Sequence, residues 1–132
     1  MINRKHRFHG RGSLRFVYQR GKVIRSAFGS LKYIENPRRK DYRVAIVVSR
    51  KVSRSAVVRN RIRRRLYECV RLYEAHITHQ LDMVYVAYSD QLATMPAEEM
   101  RERVWDKLQE AGAIEKTAKR PLIHAIVDPK ES

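Results

Sequence analysis

Residues 50–68 read RKVSRSAVVRNRIRRRLYE, and the reading of this stretch decides the fold. It carries Arg50, Lys51, Arg54, Arg59, Arg61, Arg63, Arg64 and Arg65, and no acid until Glu68. Ser53 and Ser55 are helix-capping residues rather than helix formers, so the first part is a loop. From about Ala56 the pattern turns helical. Val58, Ile62, Leu66, Cys69, Tyr73 and Ile77 recur every three or four positions, which puts them on one buried face of a helix reaching about Thr78. Asn60, Arg61, Arg63, Arg64 and Arg65 fall outside that stripe, and Arg59 lies in the first turn, where it can swing clear. The helix therefore buries one side and turns guanidinium groups outward. A solvated face would interleave Glu at i±4, yet no carboxylate stands between Asp41 and Glu68. Arg59 with Arg63, and Arg61 with Arg65, repel unless an anion lies between them. A helix N-terminus and planar guanidinium forks both suit phosphate, so a polyanion is the expected partner.

Working outward, residues 42–49, YRVAIVVS, feed directly into this segment. Their continuous apolar run predicts a strand that is central or covered on both faces. Residues 82–88, DMVYVAY, predict another strand, so strand, long helix and strand form a βαβ unit with parallel strands. Residues 27–34 predict a strand with Phe28, Ser30, Lys32 and Ile34 on one side and Gly29, Leu31 and Tyr33 on the other, and a short strand is possible near Val23. The turn between these and the next strand centres on Pro37.

Ser13 is placed to cap a short helix over 14–20 that Gly21 ends, with Leu14, Val17 and Tyr18 on one side. Tyr18 either docks on the core or stands out as a stacking platform for a base. Thr94 is placed to cap a last helix running to Ala111 and stopped by Gly112, with Met100, Val104, Leu108 and Ala111 as its stripe and Trp105 flanking. Residues 1–12 are a basic arm. Residues 113–132 form a tail in which 122–127 are either an edge strand or loosely held. His6 and His9 lack companion ligands and read as surface histidines.

The charge balance supports the polyanion. The 132 residues carry a net charge of +15, and residues 1–65 hold 21 Lys and Arg against only Glu35 and Asp41. Such asymmetry points to nucleic acid. A membrane is not expected as partner, because no run approaches ~20 apolar residues and no long amphipathic helix stands apart from the core. No secretory signal opens the chain, and the lone Cys69 reads as a small buried hydrophobe; both fit a cytoplasmic protein.

No enzyme signature is present: no Gly-rich phosphate loop, G-x-S-x-G or H-E-x-x-H. His76 and His79 share a spacing compatible with metal but lack further ligands. The basic half has too few carboxylates for a two-metal nuclease. A protein-only nuclease is thus disfavoured, and a structural, ribosomal-type RNA-binding protein stands as the alternative to a subunit of an RNA-based enzyme.

Residues 48–51, VSRK, and 56–64, AVVRNRIRR, resemble the signature of the bacterial ribonuclease P protein component. In that family a strand ending in Val-Ser-Lys-Lys leads through a short loop into Ala-Val-x-Arg-Asn-Arg-x-Lys-Arg. Arg7-Phe8, Ser13-Leu14, Val17-Tyr18 and Gly21 extend the resemblance to an N-terminal helix, and 82–87 to a late strand. It covers about 8–111, within a single RNA-binding domain over 1–112 that includes the basic arm 1–12. The resemblance implies a compact α+β sandwich in the order α-β-β-β-α-β-α, a mixed sheet packed by the arginine-rich helix, and a left-handed βαβ crossover. It implies a subunit that assists removal of the 5′ leader of precursor tRNA, with catalysis and Mg²⁺ residing in the catalytic RNA and a monomeric protein within the ribonucleoprotein. Catalytic-RNA contacts would fall to Arg50, Lys51, Arg54, Arg59, Asn60, Arg61, Arg63 and Arg64. Leader contacts, in a cleft between the long helix and the sheet, would fall to Leu14, Tyr18, Phe28, Leu31, Tyr33 and Ser49. Leu14 departs from the family's frequent aromatic, and Ser53 from its frequent glycine.

Overall fold

A computed structural model describes residues 3–8 and 11–121. The element order is α1 (Arg11–Arg20), β1 (Lys22–Arg25), β2 (Gly29–Glu35), β3 (Arg43–Val47), α2 (Ala56–Leu72), β4 (Leu81–Ala87) and α3 (Ala97–Glu110). Short 3-10 turns lie at Arg4–His6, Glu74–His76 and Asp90–Ala93. The α-β-β-β-α-β-α order matches the expectation. The His9 reading and the segment 122–127 lie outside the described residues.

The four strands form one mixed sheet in the order β1-β2-β4-β3. β3 and β4 run parallel around α2, as the βαβ reading requires, while β2 is antiparallel to both β1 and β4. β3 is therefore an edge strand, not a central one, because β4 returns to insert between β2 and β3. Its apolar run has another cause. Val44 and Ile46 are buried under α2, Ala45 and Val47 are half-buried on the opposite face, and Val48 is buried beyond the strand end. The exposed ladder of an edge strand needs a cover. Here the Tyr67 hydroxyl of α2 accepts from Ile46 N at 3.2 Å.

Register defines the two faces. Leu31, Met83 and Val44 share one side with Tyr33, Tyr85 and Ile46. Against it pack Ile62, Leu66, Cys69, Val70 and Tyr73 of α2 and its C-terminal end, and Met100, Trp105 and Leu108 of α3. Trp105, beside the α3 stripe, is buried in this core and meets the Tyr73 ring edge-on at 5.0 Å. On the other side lie Ser30, Lys32, Val84, Val86, Ala45 and Val47, where α1 inserts Val17, fully buried, against β2 and β4.

Several boundaries move for local reasons. α1 starts at Arg11, so Ser13 lies inside it rather than capping it. It ends at Gly21, where a Cβ would sit 2.5 Å from Val17 O and 3.0 Å from Tyr33 O. β2 begins at Gly29 rather than Ala27. α2 stops at Leu72, and Tyr73 to His76 tighten into a 3-10 turn that redirects the chain toward β4. α3 starts at Ala97 after Pro96, not at Thr94, because the 3-10 turn Asp90–Ala93, capped by Ser89, occupies the preceding residues. Gly112 ends the core of α3 at φ 85°, the left-handed position that favours glycine. The packing continues past it: Ala113 and Ile114 are buried, and Arg120 pairs with Glu98.

His6 is not a surface histidine. Its ring is buried and stacks on Tyr42 at 4.0 Å. Nδ1 lies 2.9 Å from Tyr42 O and Nε2 lies 2.7 Å from Glu74 Oε1. The basic arm is thereby docked on the sheet edge over residues 3–8. Beside it Arg43 and Asp82 form a buried bidentate pair, with bonds of 2.9 and 2.7 Å, that also accepts from Asn36 at 2.9 Å.

Removing one member of such a buried pair strands the other charge, at a cost of about 3–5 kcal/mol. Asp82→Ala should lower urea stability by that amount. Arg43→Met with Asp82→Leu should recover most of it, since neither charge is then left alone. A double variant as unstable as the single one would show that the pair acts through something other than its charges.

Candidate nucleic-acid interface

The arginine segment leaves β3 at its C-terminal end. Ser53 Oγ accepts from Ser55 N at 3.2 Å, and Ser55 Oγ accepts from Val58 N at 3.3 Å, so the two serines stop the loop and start α2 as their chemistry demands. The buried stripe of α2 is Ile62, Leu66, Cys69 and Val70. The arginines divide into two groups around it.

One group is braced by backbone carbonyls. Arg59 Nη1 donates to Ser53 O at 2.9 Å and to Arg54 O at 3.0 Å, which ties the loop to the first turn of the helix. Arg61 Nε donates to Ala93 O at 2.7 Å. Arg65 donates to Leu92 O at 2.7 Å and to Met95 O. Arg65 is thus drawn onto the 90–95 segment rather than fanned outward. The other group points to solvent: Arg50, Lys51, Arg54 and Arg64 are exposed, and Arg63 leans on the Asn60 Oδ1. Among the described residues no carboxylate pairs with any of the eight proposed contact residues Arg50, Lys51, Arg54, Arg59, Asn60, Arg61, Arg63 and Arg64. The segment is thus a preorganised cationic surface with its charge uncompensated from within.

A shallow trough adjoins it on the α1 side of the sheet. Its floor is the half-buried row Lys32, Ala45, Val47 and Val86. α1 forms one wall with half-buried Leu14 and with Tyr18, 40% exposed, whose ring carries Lys32 Nζ at 4.3 Å. Burial pushes the Tyr18 phenol up from its ordinary value, so the ring stays neutral at physiological pH. Past the C-terminal ends of β3 and β4 the trough meets exposed Ser49 and Tyr88, whose hydroxyl donates to Ser30 at 2.7 Å.

The expected leader residues are therefore divided. Leu14, Tyr18 and Ser49 border the trough. Leu31 is 4% exposed on the opposite, helix-packed face, and Tyr33 and Phe28 pack against the same core. Arg103 covers the Phe28 ring at 4.5 Å. Phe28 precedes β2, so the alternation that groups it with Lys32 does not extend to it. Sequence reasoning misses Lys32 and Tyr88. The strand alternation places Lys32 opposite Leu31, but only the packing of α1 shows that this face stays open. Among the described residues no group of three His, Cys, Asp or Glu side chains is placed to hold a metal ion.

The family model described as Ribonuclease P matches residues 2–112. A ribonuclease P protein component from Roseiflexus castenholzii is 40% identical over 59% of this chain and 63% of its own length. One from Chloroflexus aurantiacus is 32% identical over 83% of this chain and 80% of its own. The alignments to the first of these relatives thus span just under two thirds of their length. The Staphylococcus aureus RNase P protein superposes with TM-score 0.72 over 83% of this chain and 97% of that chain at 21% identity. The Thermotoga maritima RNase P protein gives TM-score 0.65 over 74% and 89% at 24% identity. These two structures share the fold.

The two groups of arginines should separate experimentally. Arg65→Ala should cost about 1–3 kcal/mol in urea unfolding, because two carbonyls lose a charged donor. Arg64→Ala should stay within about 0.5 kcal/mol and instead flatten the salt dependence of polyanion binding by about 0.7–0.9 in log–log slope. The reverse pattern would mean that the bracing and contacting roles are misassigned.

Proposed function

The chain belongs to the ribonuclease P protein family, and from that premise we propose that it is the protein subunit of a ribonucleoprotein that removes the 5′ leader of precursor tRNA in the cytoplasm. Arg50, Lys51, Arg54, Arg59, Asn60, Arg61, Arg63 and Arg64 bind the catalytic RNA. The trough between α1 and the arginine loop holds the leader. The observation that carries this reading is the joining of the two surfaces. A cationic loop and helix start, without internal counter-charge, open directly onto a half-apolar trough edged by Tyr18, Lys32 and Tyr88.

Each part has a physical task. Guanidinium groups held by Ser53 O and Ala93 O lose little freedom when a phosphate arrives, so more of the electrostatic gain is kept. A neutral ring edged by an ammonium suits a stacked base followed by its phosphate. Leu14 contributes an apolar contact where a ring would stack, and Leu31, Phe28 and Tyr33 support the trough from beneath the sheet rather than touching a strand in it. In this reading Mg²⁺ and the bond-breaking belong to the RNA subunit, and the protein works by charge and by positioning, as a single copy in each particle.

Adding the protein to its cognate ribonuclease P RNA should accelerate leader cleavage at low Mg²⁺. No acceleration would favour a structural RNA-binding role, and cleavage by the protein alone would favour a protein-only nuclease. Arg59→Ala with Arg63→Ala should weaken assembly with the catalytic RNA and reduce the log–log salt slope by about 0.7–0.9 for each phosphate no longer neutralised. An unchanged slope would mean that these side chains do not reach the backbone. Tyr18→Ala should weaken binding of precursor relative to mature tRNA by about 1–3 kcal/mol; equal effects on both would remove the leader from the trough.

A further inference from the structure

Tyr18 and Phe16 lie on opposite flanks of α1. Tyr18 faces Lys32 and the trough, whereas Phe16 lines a second, open cleft of about 1030 Å³. Across this cleft stands the turn between β2 and β3, with Arg38, Arg39 and Lys40, all exposed. Phe16 is itself 50% exposed, and its neighbours Gly12 and Ser13 on the same flank are too small to cover it.

Most other charges at this cleft are already spent. Arg43 and Asp82 are buried in their mutual bidentate pair, and Lys5 reaches Asp41 at 3.9 Å. Among the described residues Arg38, Arg39 and Lys40 have no carboxylate partner, and Glu35 and the loosely held Asp41 are the acids of the cleft that oppose them. The cleft is open and half polar, unlike the enclosing, mostly apolar sites that bury a small molecule. Its wall offers a ring for stacking, and its rim a run of cations at backbone spacing. Single-stranded nucleic acid uses that combination. An acidic protein would satisfy the cations without needing the ring. A bilayer would need apolar residues that protrude, while Phe16 sits in a concave wall.

The location separates this cleft from the arginine loop. The 36–42 turn leads into β3 and the 48–55 loop leaves it, so five strand residues intervene, or about 16 Å at ~3.3 Å each. We propose that the cleft binds a run of unpaired ribonucleotides, with a base stacked on Phe16 and neighbouring phosphates on Arg38, Arg39 and Lys40. This rests on the reading of the chain as an RNA-binding subunit, but on different residues from those that reading uses.

The test is photo-crosslinking from a benzophenone-bearing phenylalanine at position 16 of the full chain, assembled with catalytic RNA and precursor tRNA. Crosslinks to unpaired nucleotides support the proposal, and the RNA that carries them identifies the source. Crosslinks to paired nucleotides, or none, overturn it. In parallel, full-length variants are titrated with a 12-nucleotide oligouridylate, a 12-base-pair RNA duplex and phosphatidylserine vesicles. Phe16→Ala should weaken the single strand about tenfold and the duplex less than about twofold, with Phe16→Trp restoring binding and all variants melting as the parent does. Arg38→Ala, Arg39→Ala and Lys40→Ala together should lower the single-strand salt slope by about 2. Equal weakening on all three probes would leave only a general charged patch and overturn the proposal. Arg59→Ala with Arg63→Ala, run alongside, reports on catalytic-RNA assembly separately. Weakened assembly there with no effect at Phe16 sinks this inference alone, and the converse sinks only the earlier reading.

Discussion

Five arginines within seven residues, Arg59 to Arg65, repel one another in any helical arrangement, and the rest of the structure is built to hold them in place. Pairing each with a carboxylate would neutralise the surface. The chain uses neutral acceptors instead. Backbone carbonyls of Ser53, Arg54 and Ala93 fix Arg59 and Arg61 while leaving their charge intact, and those of Leu92 and Met95 hold Arg65. A carbonyl dipole orients a guanidinium but does not cancel it, so the field toward an incoming polyanion stays strong. This explains why the 3-10 turn Asp90–Ala93 stands between β4 and α3: with the residues just after it, the turn presents the carbonyls of Leu92, Ala93 and Met95 to the side of α2. The apolar stripe of α2 does the complementary work, clamping the helix to the sheet so that repulsion cannot unwind its first turns.

The same logic separates the two halves of the chain. Ion pairs are plentiful in α3, where Arg101 meets Glu98, Arg103 meets Glu99 and Lys107 meets Glu110. They are exposed or partly so, and each contributes little stability. Their effect is to cancel the cations of α3, where five acids outnumber three bases, so that side presents no positive field. Among the described residues the basic half relies on the buried Arg43–Asp82 pair, the His6–Glu74 contact and a loose Lys5–Asp41 contact. The molecule is therefore electrostatically polar, and its uncompensated face is the one that carries both the trough and the arginine segment.

How much of this is legible in the sequence follows from what periodicity can report. A step of three or four states which side of a helix is buried, so the start of α2 at Ser55, the buried side that Ile62, Leu66 and Cys69 form, and the parallel β3–α2–β4 unit are readable, whereas the α2 end and the Ser13 cap are not. Periodicity does not state which strand lies beside which. The apolar run of β3 reads as a strand that is central or covered on both faces, yet β4 holds the centre, and at the β3 edge Ile46 N donates to Tyr67, twenty-one residues away. His6 shows the same gap. Nothing local announces that Tyr42 and Glu74 will meet it. Leu31 and Lys32 are adjacent in sequence and opposite in fate, and only the placement of α1 decides which of their faces stays open.

That placement also accounts for why α1 is aromatic on two flanks while burying so little. Its grip on the sheet is narrow: Val17 is fully buried, Leu14 half-buried, and Phe16 and Tyr18 remain 50% and 40% exposed. A helix kept for stability alone would turn its rings inward, since burying one contributes about 1.5–3 kcal/mol. Here the rings are left at the edges of two concave surfaces, one beside Lys32 and one facing Arg38, Arg39 and Lys40. Glycine at position 21 lets the helix end tight against the Tyr33 backbone, so the short helix is seated by its C-terminus and a single valine, and its flanks are spared for contact. The stability forgone at α1 is supplied on the far side of the sheet, where α2 and α3 bury the bulk of the apolar core. One face of the sheet holds the molecule together so that the other can remain open to a strand.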